Sequence, residues 1–206
     1  MSELFSIQLQ NRQQQGRDGV WLDLPTTTEQ VQAALRQIGI SSDNPQGLFI
    51  SGYFAEEEKR FAIPYNMVLA SNVDELNFLA ARLETLSAGE RAELNAALQA
   101  PQSELSSIGK ITDFPENVEY YVHLPDVRGP AQLGDYYLNR SGMVDIPEEW
   151  KGGIDTAQFG RYVAQQEQGA FTQYGYLVKS GDEWQKVHEG QPVPEEYRVL
   201  SFPVPE

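Results

Sequence analysis

Apolar residues recur at two different spacings along this 206-residue chain, and the change between them constrains the fold more than any other feature. Residues 4–9 and 19–24 alternate between apolar and polar side chains, as strands with one buried face do. Between 73 and 98, leucines recur mostly three and four positions apart, as they do on helices that bury one stripe. Both periods in one chain predict an α+β fold.

Three helix starts are predicted by a capping residue followed three positions later by Glu. The pairs are Thr26 with Glu29, Asn72 with Glu75, and Ser87 with Glu90. The first helix should begin near Thr27 and end at Gly39, and the third should end before Pro101. Further strands are expected at 47–54 and 118–124, further helices at about 130–141 and 156–168, and a hairpin turn at Ser180–Gly181.

These elements suggest three small domains in a row. The expected divisions are an N-terminal α+β domain (1–64), a central helical domain (65–106), a C-terminal α+β domain (107–178) and a C-terminal extension (179–206). Pro64 is the expected first boundary, because the alternating pattern stops there and the helical pattern follows.

Side chains suited to catalysis or metal binding are few. The chain has no cysteine and two histidines, and we interpret His123 as structural and His188 as a surface residue. Gly109–Thr112 lacks the earlier glycine of a phosphate-binding loop. We therefore expect no catalytic residue, no metal and no cofactor. A hydrolase based on paired carboxylates stays open, since 30 acidic residues offer many pairs.

The formal charge of −15 comes from 30 acidic and 15 basic residues, and the acids are spread along the whole chain. Such a field repels nucleic acid and anionic membranes and attracts basic grooves, so the expected partner is a protein that binds DNA. Solubility alone is the alternative explanation. No apolar run follows a positively charged start, and none approaches a membrane span, so we expect a cytoplasmic protein.

Acids in the predicted helices avoid the apolar stripes, and acids outnumber bases nine to three between 112 and 155. Carboxylates on such a surface can stand where a DNA-binding groove expects phosphates. Since duplex DNA carries about one charge per 1.7 Å, 30 carboxylates match roughly 50 Å of duplex. The predicted mimic surface consists of Asp74, Glu75, Glu84, Glu90, Glu93, Asp113, Glu116, Glu119, Asp126, Asp135, Asp145, Glu148, Glu149 and Asp155.

Four segments of the chain resemble the ArdA family of antirestriction proteins in order and spacing. They are GVWLDLP (19–25), ASNVDELNFLAARLETL (70–86), YVHLPDVRGPAQLGDYYL (121–138) and the stretch from IPEEW to YGYLV (146–178). The resemblance covers residues 4 to about 178, so the end of the chain falls outside it.

The resemblance implies an elongated homodimer of three-domain chains, joined through the C-terminal part, that occupies the DNA-binding groove of type I restriction-modification enzymes. It supplies no catalytic residue. Residues 125–137 are our candidate for a partner or dimer contact, although Leu133, Tyr136 and Tyr137 also fit a core. Trp21 is interpreted as a core residue. The alternative function is an acidic module that binds another basic or DNA-binding protein.

Overall fold

The alternating residues near the N-terminus form the central strand of a three-stranded antiparallel sheet. The computed structural model describes residues 4–14, 18–57, 60–101 and 103–205. Strand β1 (Phe5–Asn11) lies between β2 (Val20–Leu24) and β3 (Leu48–Phe54). Phe5, Ile7 and Leu9 are buried and the residues between them are partly exposed, so one face of the sheet forms the core.

Helix α1 (Thr28–Gln37) contacts β2 and buries Val31 and Leu35. Its N-cap is Thr27, whose side chain accepts a hydrogen bond from the Gln30 amide, while the Gln30 side chain accepts one from the Thr27 amide. The predicted capping pair was therefore one residue too early. The Thr26 hydroxyl donates to the Gln30 side chain instead.

The next helices are α2 (Tyr65–Leu69), α3 (Val73–Glu84) and α4 (Ala88–Gln99). Asn72 caps α3 and Ser87 caps α4, each with the predicted Glu three positions later closing a capping box. Of the leucines predicted to point inward on these two helices, Leu76, Leu79, Leu83 and Leu94 are fully buried, whereas Leu98 is only partly buried. The helical period read from the sequence is confirmed.

The rest of the chain mixes short helices with a second sheet. Its elements are α5 (Ile108–Thr112), β4 (Tyr121–Leu124), α6 (Pro130–Asp135), α7 (Glu148–Lys151), α8 (Thr156–Glu167), β5 (Ala170–Thr172) and β6 (Gly175–Lys179). The second sheet is antiparallel with β6 in its centre. A single π-helical stretch, Tyr136–Arg140, continues α6 to the end predicted from the sequence.

The hairpin near the end of the second sheet turns earlier than predicted. Gln173 and Tyr174 connect β5 to β6, and the Thr172 hydroxyl accepts from the Tyr174 amide at 3.1 Å. Gly175 supplies the positive φ of 127° that this turn needs. Ser180, the predicted turn residue, instead donates from its amide to the Tyr120 carbonyl oxygen at 2.9 Å, so the chain continues past β4.

The described chain divides into two compact units. Unit 1 comprises Met1–Leu86, Leu105–Glu116 and Lys186–Glu206, and unit 2 comprises Ser87–Glu104 and Asn117–Gln185. The α+β class is confirmed, with one three-stranded sheet in each unit. The arrangement in three consecutive domains is not confirmed, and its boundaries stay a prediction. None of the described helices is long and apolar enough to cross a membrane.

Two glycines allow α6 and α8 of unit 2 to approach backbone to backbone. A Cβ added at Gly160 would lie 1.8 Å from the Pro130 carbonyl oxygen, and one added at Gly134 would lie 1.9 Å from the Thr156 carbonyl oxygen. Beside this crossing, Leu133, Ala164 and Tyr176 form the core of the unit. The crossing therefore depends on residues without a side chain.

Replacing Gly160 by alanine should destabilise unit 2 by about 1 to 3 kcal/mol, because the added methyl group forces the two helices apart. Thermal unfolding followed by circular dichroism measures the effect. Gly152→Ala is the matched control, since an added Cβ there meets no atom within 4 Å. Equal unfolding temperatures for the two variants would contradict the packing argument.

Candidate acidic interaction surface

Exposed carboxylates occur on both units. In unit 1, 17 acidic and nine basic residues leave a net charge of −8, and in unit 2, 13 acidic and six basic residues leave −7. Among the described residues, 17 acidic side chains are exposed against nine basic ones. Each unit therefore presents an excess of negative charge to solvent.

The acids predicted for the mimic surface fall into three groups. Seven are exposed: Glu116, Glu119, Asp126, Asp145, Glu148, Glu149 and Asp155. Six are partly buried: Asp74, Glu75, Glu84, Glu90, Glu93 and Asp135. Asp113 is completely buried. The expectation that these acids all face solvent fails for Asp113, and the six partly buried acids face solvent only in part.

Asp113 follows α5 and binds the backbone of the C-terminal extension. Its carboxylate accepts hydrogen bonds from the amides of Val187, His188 and Glu189, at 3.3, 2.6 and 3.2 Å. Three successive N–H groups converging on one anion form a backbone nest. These donors replace the water that the buried carboxylate has lost. Asp113 is thus a structural residue and not part of the surface.

A second aspartate binds the extension at the start of α3. Asp74 accepts hydrogen bonds from the amides of Val199 and Leu200, both at 2.7 Å. On the same helix, the Asn77 side chain donates to the Tyr197 carbonyl oxygen at 3.0 Å. Residues 186–205 therefore pack within unit 1 at several points and are not a free tail.

Two of the partly buried glutamates close capping boxes. Glu75 accepts from the amide of Asn72, and Glu90 accepts from the amide of Ser87. Hydrogen bonds from the Ser87 side chain and backbone lower the pKa of Glu90, so this carboxyl is ionised at neutral pH. Both glutamates place negative charge at a helix N-terminus, where the dipole favours it.

Glu93 lies one turn further along α4 and is partly buried. Burial, together with the nearby charge of Glu90, raises the pKa of Glu93 to about 8. Its Oε1 atom is buried without a hydrogen-bond partner in the described part of the chain. Near neutral pH this residue is largely protonated, so it contributes little charge to the surface.

Several other acids are paired with bases. Glu116 binds Arg82, and the Asp135 carboxylate lies 3.2 Å from the Arg140 guanidinium. Glu148 lies 2.8 Å from the Lys151 ammonium on the same helix. Such exposed pairs contribute little to stability, but they reduce the negative field around each carboxylate.

The sequence reasoning missed a group of exposed acids in unit 1. They are Asp18, Asp23, Glu29, Asp43, Glu56 and Glu57. The alternating pattern of β2 could have predicted the exposure of Asp23, because this residue lies between the buried Leu22 and Leu24. The same alternation places Trp21 outward, where it is 49% exposed. The interpretation of Trp21 as a core residue was wrong.

Residues 125–137, the predicted partner or dimer contact, divide between surface and core. Pro125, Asp126 and Arg128 are exposed, whereas Leu133 is completely buried in the core of unit 2. Tyr137 is partly buried and donates a hydrogen bond to Glu167. Ala131 and Gln132 are exposed too, so the segment has five exposed positions that could touch another molecule.

Both histidines have defined structural contacts. The Nε2 atom of His123 lies 2.8 Å from the Tyr174 carbonyl oxygen, which fits the structural role predicted for it. His188 packs edge-on against Phe78 with ring centroids 4.9 Å apart, so it is partly buried and not the surface residue that we expected. No group of three or more potential metal ligands occurs among the described residues.

A cavity of about 900 Å³ in unit 1 lies beside the start of α3. Asp74 and Glu75 line it, together with Glu189 of the extension. Asp74 and Glu75 already accept hydrogen bonds from backbone amides, as described above. Both carboxylates therefore serve as hydrogen-bond acceptors within the fold.

The fold and the charges together define an acidic α+β protein with carboxylates exposed on both of its units. A family model described as antirestriction protein (ArdA) matches residues 15–178. This match spans most of the chain, so the protein belongs to the ArdA family of antirestriction proteins. No curated protein matches the chain. The extension held by Asp74 and Asp113 lies beyond the matched region.

Asp113→Asn should lower the free energy of unfolding by about 2 kcal/mol, because an amide turns one N–H group toward the backbone donors that the carboxylate satisfied. Chemical denaturation measures the loss, and limited proteolysis should cleave the extension sooner. Asp126→Asn, at an exposed position, is the control. A variant as stable and protease-resistant as the control would show that the nest does not hold the extension.

Glu93→Gln should change the pH dependence of stability. The pKa of Glu93 is about 8 in the folded state and close to 4.5 in the unfolded state. Between these pH values the unfolded chain releases a proton that the folded chain retains, so the free energy of unfolding falls as pH rises from about 4.5 to 8. The variant should match the wild type at pH 4.5 and exceed it at pH 8.5 by about 1 to 2 kcal/mol, since solvent screens part of the effect. Chemical denaturation at pH 4.5 and pH 8.5 measures the difference, and Glu119→Gln, at an exposed position, is the control. If the stability of Glu93→Gln and that of the wild type depend on pH in the same way, the prediction is refuted.

Proposed function

We propose that this protein protects DNA from type I restriction-modification enzymes by occupying their DNA-binding groove as a mimic of duplex DNA. Family membership implies an interaction with restriction-modification enzymes and inhibition of restriction. The observation that supports the mimic mechanism is the excess of exposed carboxylates on both units. A groove built to bind phosphates attracts such a surface over a long range.

The proposed mechanism needs no catalytic residue, because occupancy of the groove alone prevents the enzyme from binding DNA. The acids that take part are the exposed ones. Asp113 and Asp74 are excluded, since their carboxylates hold the extension, and Glu93 is excluded because its pKa leaves it largely protonated near neutral pH. Seven of the 14 residues predicted from the sequence are exposed, and the exposed acids that the sequence did not single out join them in the proposed mimic surface.

We further propose that the protein acts as a homodimer, as its resemblance to ArdA implies. Two copies double the number of exposed carboxylates and match a longer stretch of duplex. Analytical ultracentrifugation of the full chain measures the association directly. The same occupancy should also inhibit the methylation activity of the enzyme, because methylation and restriction require the same bound DNA.

The biological test is to challenge cells that carry a type I system with unmodified phage DNA, with and without this protein. Expression should raise the efficiency of plating by orders of magnitude. Undiminished restriction at high expression, across several type I families, would refute the proposed target. In that case an acidic module for another DNA-binding protein becomes the better explanation, and capture experiments should yield a basic protein.

Changing four exposed acids of unit 2 to amides should weaken binding to a type I enzyme. The variant combines Glu119→Gln, Asp126→Asn, Asp145→Asn and Glu149→Gln. Exposed charge pairs contribute about 0.2 to 1 kcal/mol each, so the four together should cost roughly 2 kcal/mol, or about 30-fold in affinity. Competition with labelled DNA at low salt measures this loss, and the loss should shrink as salt rises.

The matched control keeps the charge and alters the length of each side chain. It combines Glu119→Asp, Asp126→Glu, Asp145→Glu and Glu149→Asp, and it should bind within about threefold of the wild type, since long-range attraction follows charge more than shape. If the amide variant and the control bind equally well, carboxylate charge at these positions does not drive the interaction.

A further inference from the structure

The outer face of the first sheet carries aromatic side chains that the core does not use. Trp21 of β2 is 49% exposed and Phe54 of β3 is 53% exposed, and their rings pack edge to face with centroids 6.4 Å apart. A single exposed aromatic side chain is common on protein surfaces, but a cluster of exposed aromatic rings in contact can mark a binding site.

The register of the strands shows how this pair is built. Gln8 of β1 pairs with Trp21 on one side and with Gly52 on the other, so these three positions form one row across the sheet. A Cβ added at Gly52 would lie 3.0 Å from the end of the Trp21 ring. The indole therefore lies across the sheet on a glycine, and this contact holds its ring in place.

A carboxylate stands beside the aromatic pair. Ser6 of β1 pairs with Asp23 on one side and with Phe54 on the other, so these three positions form a second row across the same face of the sheet. The Ser6 hydroxyl donates to the Asp23 carboxylate at 2.5 Å, which orients it. Two more exposed acids, Glu56 and Glu57, follow Phe54 in the chain. We call Trp21, Asp23 and Phe54 the aromatic patch.

On the same face of the sheet, an arginine of the protein itself stacks on an aromatic ring. Arg12 lies over the ring of Phe49, with 4.9 Å between its Cζ atom and the ring centroid, and Phe49 pairs with Gln10 in the third row. In the described part of the chain, no basic side chain lies over Trp21 or Phe54. The aromatic patch thus offers the same kind of ring surface to a cation from outside.

We propose that the aromatic patch binds arginine side chains of the protein's partner. A planar guanidinium can stack on an aromatic ring while it donates hydrogen bonds to a carboxylate beside the ring, and a lysine ammonium does this less well. The negative charge of unit 1 favours a basic partner surface, and the patch selects arginine on that surface. This inference rests on the proposed function for the identity of the partner, but its chemistry can be tested without the restriction enzyme.

The direct test titrates the full-length protein with octa-arginine and with octa-lysine at low salt. General charge attraction is the same for both peptides, but arginine also forms bidentate pairs with carboxylates elsewhere, so the part of the arginine preference that Trp21→Ala removes reports on stacking. The wild type should bind octa-arginine about five- to tenfold more tightly, and Trp21→Ala should remove most of that preference. Trp150→Ala, which removes an exposed tryptophan of unit 2, should retain it.

The outcomes separate this inference from the proposed function. Equal affinity of the wild type for the two peptides, a preference that Trp21→Ala leaves unchanged, or a preference that Trp150→Ala reduces as much would each overturn the role of the patch. Circular dichroism and thermal unfolding verify that Trp21→Ala is folded, and the gentler Trp21→Leu, which keeps an apolar side chain at this position but no aromatic ring, should reduce the preference to the same extent. None of these results depends on whether type I restriction is inhibited.

Discussion

The carboxylate of Asp113 is buried in unit 1, where three backbone amides replace the water around it. A protein with this many acids can bury one only where donors of this kind are available, because an unpaired buried charge is prohibitively costly. Asp74 meets the same requirement with two amides at the other end of the extension. Together these aspartates join residues 186–205 to α3 and α5, and the form of unit 1 depends on them.

The remaining acids differ in how accessible their carboxylates are to a partner. Capping glutamates such as Glu75 and Glu90 stabilise helix starts, and Glu93 is largely neutralised by burial. Some exposed acids also have local partners, such as Asp155, which caps α8, and Glu116, which binds Arg82, but their side chains face solvent. If the protein mimics DNA, its phosphate-like groups come from this exposed set, which occurs on both units. Net charge alone therefore overstates the surface that a groove can contact.

Charge gives long-range attraction but little selectivity, whereas an ordered aromatic ring adds short-range preference for particular side chains. The pair of Trp21 and Phe54 lies among carboxylates on an open sheet face, so both contributions are present in one place. An arginine-rich groove would meet both at once. This combination offers a physical basis on which a highly acidic protein can distinguish one basic partner from another.

The sequence by itself determined the α+β class, the capping of α3 and α4, and the buried leucine stripes, because local hydrogen bonds and periodicity operate within a few residues. Its four ArdA-like segments also indicated the family, because they are patterns of residue order and spacing. Only the tertiary structure decided that Asp113 is internal and that residues 186–205 belong to unit 1, since their partners lie more than 70 residues away. Trp21 belongs to the second group: it was interpreted as a core residue, and only the tertiary structure placed its half-exposed ring across Gly52, because exposure depends on which face of the sheet the rest of the chain covers.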